Sequence, residues 1–186
     1  AEGTLSNEQL VSGLKKATAA GRLYPLLCAS GSHAMGVRPI LDAVLNLVPS
    51  PAERGFPVLA ANGDSATIGA NDTAPYAAFV WKTIADPFAG RITMFRVVSG
   101  VLKSDSTVHN KTRDAAERFG SLQLLQGKTP AAVPEIRAGD LGSVAKLKDT
   151  LTNDTVGDKT DPVVFPPVDF PEAVLAYAIE PKTRGD

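Results

Sequence analysis

From Phe79 to Asn110 the pattern of apolar and polar positions reads as two strands and the start of a third, joined by turns. Ala77 to Ala85 is rich in β-branched and aromatic residues and places Phe79, Trp81 and Thr83 on one face of a strand. Asp86-Pro87-Phe88-Ala89-Gly90 follows as a turn: Pro87 fixes φ, Asp86 can accept from its own backbone two residues on, and Gly90 tolerates positive φ. Arg91 to Ser99 sets Ile92 and Met94 against Thr93, Phe95 and Val97. Ser99-Gly100 interrupts this second strand, and a short run to Lys103 leads to a turn at Lys103-Ser104-Asp105.

The same rhythm continues downstream. Ser106 to Asn110 reads as a strand, Lys111 to Ala116 as a polar loop, and Arg118 to Gln126 as a segment carrying Phe119, Leu122, Leu124 and Leu125. Pro130 and Pro134 bracket a loop or edge segment. Ala138-Gly139-Asp140 turns into Leu141 to Leu147, and Asp154 to Asp158 offers one more short strand. Five to seven short strands at this spacing predict a small closed antiparallel β-barrel over 77–160. Closure would remove exposed edges, which lets a unit of ~85 residues stand alone.

The pattern before residue 50 has a different period. Ser6 and Gln9 form a capping-box pair, Leu5 and Leu10 occupy the staple positions, and Leu10, Val11, Leu14, Ala17 and Thr18 share one helix face ending at Gly21. Leu23 to Ala29 is an almost continuous apolar run, which predicts a strand buried on both faces. Val37, Ile40, Leu41, Val44, Leu45 and Val48 then recur at helical spacing up to Pro49-Ser50-Pro51. A lone strand of this kind needs neighbours, so residues 1–50 are expected to be the end of a larger α/β domain. Residues 51–76 have loop composition and read as a linker, with a brief strand at Val58-Leu59-Ala60 and a turn at Asn62-Gly63-Asp64-Ser65. Residues 161–186 begin with a proline-punctuated extended stretch and end in an alternating strand, Ala173 to Ile179, with no hairpin partner.

Composition narrows the chemistry. The chain has 186 residues, 44% of them hydrophobic and 21% charged, with a formal net charge of −1. No bulk polycation is offered to nucleic acid, so any RNA contact must come from a local patch. The single cysteine, Cys28, excludes an internal disulfide framework and suits a reducing, cytoplasmic setting. No apolar run approaches the roughly 18–20 residues of a membrane span, and neither a membrane nor DNA is expected as a partner. The three Asn-x-Thr triplets, at Asn71, Asn110 and Asn153, are not expected to be glycosylated, and the terminal Arg184-Gly185-Asp186 is not expected to act as an adhesion tripeptide.

No catalytic set emerges. His33 and His109 sit in loop-like settings, and no His/Cys/Asp cluster has metal-ligand spacing. Ser30 and Ser32 lie near His33 without a nucleophile elbow or partner acid. The barrel loops hold Lys82, Arg91, Lys103, Lys111, Arg113 and Arg118, interleaved with Asp86, Asp105, Asp114 and Glu117. Charge alone favours a solvated mixed-charge face there over a phosphate-contacting one. The turn after the first apolar run, Cys28 to Ser32, occupies the place where open α/β sheets bind ligands, although an ordinary βα loop reads the same way.

Several blocks resemble one family in order along the chain. Lys82 to Gly100 is similar to the start of domain II of bacterial elongation factor G, a translational GTPase. So are Glu117-Arg118-Phe119-Gly120, Ala138-Gly139-Asp140, and Phe170-Pro171-Glu172 with Ile179 to Thr183. Leu27-Cys28-Ala29-Ser30-Gly31 resembles the fifth guanine-nucleotide motif, and Gly36-Val37 with Leu41 to Val44 the final helix of the GTPase domain. The resemblance implies a remnant of a GTPase domain over 1–50, a β-barrel second domain over 77–160 and the first strand of a ferredoxin-like third domain at the end. It implies a GTP-driven parent acting on the ribosome in translocation or recycling, with this barrel docking on small-subunit RNA and proteins and packing on the missing GTPase domain. Ser30 and Gly31 would contact the nucleotide. Lys103, Lys111, Arg113 and Arg118 become candidate contacts to ribosomal RNA, which would be salt-dependent.

The usual Gly-Ser-Ala of the fifth motif reads Ala29-Ser30-Gly31 here, which points to a divergent paralogue. A phosphate loop, magnesium-binding residues, both switches and an Asn-Lys-x-Asp motif do not occur in the sequence. This chain is therefore expected neither to bind GTP appreciably nor to hydrolyse it, which a calorimetric titration would check. Two other readings stand beside this one: a stand-alone barrel that binds protein or a small ligand, and another translational GTPase, such as a release-factor or tetracycline-protection homologue.

Overall fold

The computed structural model describes residues 3–60, 63–127 and 129–182. Asn62 of the expected turn and the terminal Arg184-Gly185-Asp186 lie outside them. Two helices come first, α1 (Asn7–Ala19) and α2 (Val37–Leu47). Then come β1 (Phe56–Leu59), β2 (Ser65–Ile68), β3 (Ala77–Asp86), β4 (Gly90–Ser99), β5 (Val101–Lys103) and β6 (Ser106–Asn110). The remaining strands are β7 (Ala115–Phe119), β8 (Leu122–Gln126), β9 (Thr129–Val133), β10 (Glu135–Arg137), β11 (Leu141–Ala145) and β12 (Thr155–Gly157).

The helix signals act locally as written. Ser6 accepts from the Gln9 backbone N–H at 3.2 Å, and the Gln9 side chain accepts from the Ser6 N–H at 3.0 Å. Neither helix buries a residue: Leu10, Val11, Val37, Leu41, Val44 and Leu45 are all exposed. The apolar run between them is not a strand. Leu23 to Ala29 is irregular, with Leu26 94% exposed. A strand is defined by its partners, and nothing among the described residues pairs with this run. The expected strand at Ala173 to Ile179 is likewise absent, and its Val174, Leu175, Tyr177 and Ile179 are exposed.

The β-unit is built on one long hairpin. β3 and β4 pair antiparallel from Ala77↔Ser99 to Asp86↔Gly90, with irregularities at Ala77/Ala78 and Val80/Lys82. The second irregularity turns both Trp81 and Lys82 to solvent. On the inner face Ala78, Val80, Phe95 and Val97 join Val108, Phe119, Leu122 and Val144 in the core. Phe95 and Phe119 meet there with ring centroids 5.6 Å apart.

Eight strands form one curled antiparallel sheet in the order β7-β6-β12-β3-β4-β11-β8-β9. The sheet curls into a half-barrel of the expected small antiparallel kind: its ladder ends at β7 and β9, and Leu102 of β5 and Ile136 of β10 join the same core. Gly100 separates β4 from β5. Its φ is +69°, its N–H donates to the Asn71 carbonyl at 2.8 Å, and a Cβ there would lie 2.5 Å from Tyr76 Cα. This left-handed residue swings β5 off the line of β4 to pair with β10 as a separate two-stranded ribbon. Ser104 stitches that ribbon to the sheet, donating its hydroxyl to Val133 at 2.7 Å and accepting from Leu122 N–H at 3.0 Å.

The segment read as a linker holds more structure than its composition predicts. β1 and β2 form a hairpin from Phe56↔Ile68 to Leu59↔Ser65. Val58 is buried with Ala77, Val98 and Phe165 in a second apolar cluster. Val164 bridges to Leu59 through two backbone hydrogen bonds of 2.7 and 3.1 Å. Segments before and after the barrel thus meet on its outer face. Pro130 lies in β9, where it pairs with Leu125 on the edge strand of the sheet, as proline's missing N–H requires.

Candidate nucleic-acid interface

The β3–β4 turn is a rigid projection. The Asp86 carboxylate accepts from the Phe88 N–H at 2.9 Å and the Ala89 N–H at 2.7 Å, and these bonds hold it below the usual carboxylate range. Gly90 takes φ +76°. Phe88 stands at the apex, 96% exposed. A large apolar ring fixed in water on a stapled turn has no role in this core.

Cations gather around the same end. β11 runs beside β4 with Ala145 opposite Ile92, and the Lys146 N–H donates to the Arg91 carbonyl at 2.8 Å. The Arg91 guanidinium donates to the Lys148 carbonyl at 2.8 Å. Lys146 is held at φ +68°, so the chain turns sharply and leaves both lysine side chains exposed. Asp149 is the neighbouring exposed acid. Together the turn offers one stacking ring and three cations.

The sequence-chosen cations divide by burial. Lys111 is turned inward: its side chain is 7% exposed and its ammonium donates to the Asp161 and Val163 carbonyls. Burial pulls its pKa down, against the pull of Asp161 and Asp158. Arg113 donates to buried Asp154 at 2.7 Å. These two therefore hold the structure together and are not presented as a phosphate-binding pair. Arg118 is exposed and pairs with Asp105 at 3.3 Å, and Lys103 is exposed with no ion pair among the described residues. No single patch unites the four. Sequence reasoning missed Lys146, Lys148 and the apical placement of Phe88, although it identified the turn. The cue was present in Asp86-Pro87 and Gly90, which stiffen a loop whose middle residue has nowhere to pack.

Ser30 and Gly31 lie in a loop closed by backbone bonds between Ser30 and Met35 of 2.9 and 3.1 Å. The Ser30 hydroxyl is 3.0 Å from His33 Nδ1 and 3.3 Å from the Ser32 hydroxyl. Gly31 is sterically free, whereas a Cβ at Gly36, φ +73°, would lie 2.6 Å from the Cys28 carbonyl oxygen. The glycine that this loop requires is therefore Gly36.

Residues 75–159 match the family model described as elongation factor G domain 2. This span is similar to elongation factor G domain 2. The matched span starts two residues before β3 and ends two after β12, so it encloses the whole eight-stranded sheet. A protein of Thermus thermophilus, known by its crystal structure, is similar over 86% of this chain with 29% identity and a TM-score of 0.66. This chain spans 21% of that protein, about a fifth of its length. The matched span, similar to this translation-factor domain, carries the β1–β2 hairpin and the 161–168 segment on its outer face. No helix among the described residues is long and apolar enough to cross a membrane.

Proposed function

We propose that this domain docks a translational GTPase of the elongation factor G type on the RNA of the small ribosomal subunit. The observation that carries the reading is Phe88, fully exposed on a stapled turn beside Arg91, Lys146 and Lys148. An aromatic ring can stack on an unpaired base, and cations beside it meet the flanking phosphates. Lys103 and Arg118 extend the electrostatic contact, while Lys111 and Arg113 keep the fold. In the full-length parent, the turn at Ser30 and Gly31 meets the guanine base of GTP, and GTP hydrolysis drives translocation or ribosome recycling in the cytoplasm. The chain itself supplies docking and no catalysis.

Co-sedimentation of the chain with small ribosomal subunits across a salt series tests the reading. Binding should weaken as salt rises, and Phe88→Ala should weaken it about tenfold at fixed salt, the scale of one lost base stack. Absence of binding at low salt would overturn the docking role. Binding unchanged by Phe88→Ala would remove the turn from the interface.

A further inference from the structure

The outer face of the sheet carries a cleft whose lining shares no residue with the proposed docking turn. Three neighbouring strands place Phe79, Arg96 and Leu141 in one row, since Arg96 pairs with both of the others. Trp81 and Val98 follow on the same face. Phe56 and Pro57 close one side, and the stretch from Phe165 to Val168 closes the other, leaving about 480 Å³. Phe165 is fixed by an edge contact with Phe79 at 5.9 Å, and Val168 by two hydrogen bonds to the Asn153 amide at 3.0 and 3.2 Å. The walls are therefore held in place without an occupant.

Arg96 is the one charged residue of the lining. Its guanidinium lies 5.8 Å from the centre of the Phe56 ring, and it has no ion pair or side-chain hydrogen bond among the described residues. A planar fork left without an acceptor in the lining of an apolar cleft matches a carboxylate attached to an apolar body. The volume falls within the range of small-molecule sites, and walls on two sides suit a compact ligand better than a flat protein face.

We infer that this cleft is a binding site for an amphipathic carboxylate, its apolar body lying between Trp81, Val98 and Phe165 and its head on Arg96. The inference stands independently of the ribosome reading, which rests on the β3–β4 turn.

Trp81 is the only tryptophan of the chain and lines the cleft, so its fluorescence reports occupancy. The test titrates the chain with decanoate and, in parallel, with decan-1-ol, which has the same body without the charge. Decanoate should shift Trp81 emission saturably and bind about tenfold more tightly than the alcohol, the scale of one charge-assisted pair. Arg96→Gln should erase that difference, and Leu141→Trp, which fills the cleft, should weaken both. Equal binding of acid and alcohol by the unaltered chain would overturn the proposal without recourse to a variant. So would tighter binding of an acidic, apolar decapeptide with blocked termini than of decanoate, since that outcome assigns the cleft to a polypeptide.

Discussion

The Nε of Arg113 lies 2.7 Å from Oδ2 of Asp154, a carboxylate that is 3% exposed and that also accepts from the Asn110 amide and the Leu151 N–H, each at 2.8 Å. This one oxygen ties the β6–β7 loop to the short loop that aims β12 into the centre of the sheet. The pair explains why an arginine on a polar loop is fixed inward.

Removing either member should expose the pair's structural role. Asp154→Ala leaves Arg113 and Leu151 without this acceptor and Asn110 with only the Thr150 hydroxyl, and a loss of about 3 kcal/mol in unfolding free energy is expected by denaturant titration. Arg113→Ala should cost less, because its side chain is 40% exposed and Asp154 keeps its other donors. Equal stability of Asp154→Ala and the parent would refute this account.

Glu117 gives a pH signature. Its carboxylate accepts from the Lys148, Asp149 and Thr150 N–H groups at 2.6, 3.0 and 2.9 Å, and from the Thr150 hydroxyl. Burial pushes its pKa up, but the hydrogen bonds together outweigh burial and leave it below the ordinary 4.5. A carboxylate depressed in the folded state adds stability that is full above its ordinary pKa and is lost as pH falls through the folded value. Glu117→Gln should therefore flatten the acid side of the stability curve below 4.5 and lower stability at neutral pH by about 2 kcal/mol. An unchanged acid limb would contradict it.

Lys111 and Lys103 should behave oppositely. Lys111→Ala orphans the Asp161 and Val163 carbonyls and should lower the thermal midpoint by several degrees, with no change in the salt dependence of ribosome binding. Lys103→Ala should leave the midpoint alone and reduce the salt slope by about one, as loss of a phosphate contact does. Calorimetry and co-sedimentation on the two variants separate a structural cation from a docking one.

Gly100→Ala should be strongly destabilising, by more than about 2 kcal/mol. The residue's φ is +69° and the added Cβ would meet the Tyr76 and Ala74 backbone at 2.5 to 2.7 Å. Gly63→Ala, also at positive φ but with open space around it, is the control and should cost about 1 kcal/mol.

Local rules written in the sequence were enough for the elements that close on themselves. The Ser6–Gln9 capping box, the stapled Asp86 turn and the alternation of Thr93, Phe95 and Val97 toward the core each depend on residues a few positions apart, so their physics is legible in the chain. The resemblance to elongation factor G domain II was legible for the same reason, since it rests on contiguous blocks. Other features depended on partners distant in sequence. The strands expected at Leu23–Ala29 and Ala173–Ile179 lack neighbours and do not form, while the linker-like Phe56–Leu59 finds Phe165 and Val164 across the barrel and does. Whether a lysine faces water or a carbonyl pair, as Lys103 and Lys111 do, is invisible to composition. It is decided by where the β12 loop and the 161–168 segment come to lie, because burial and hydrogen-bond satisfaction belong to the assembled surface and not to the residue type.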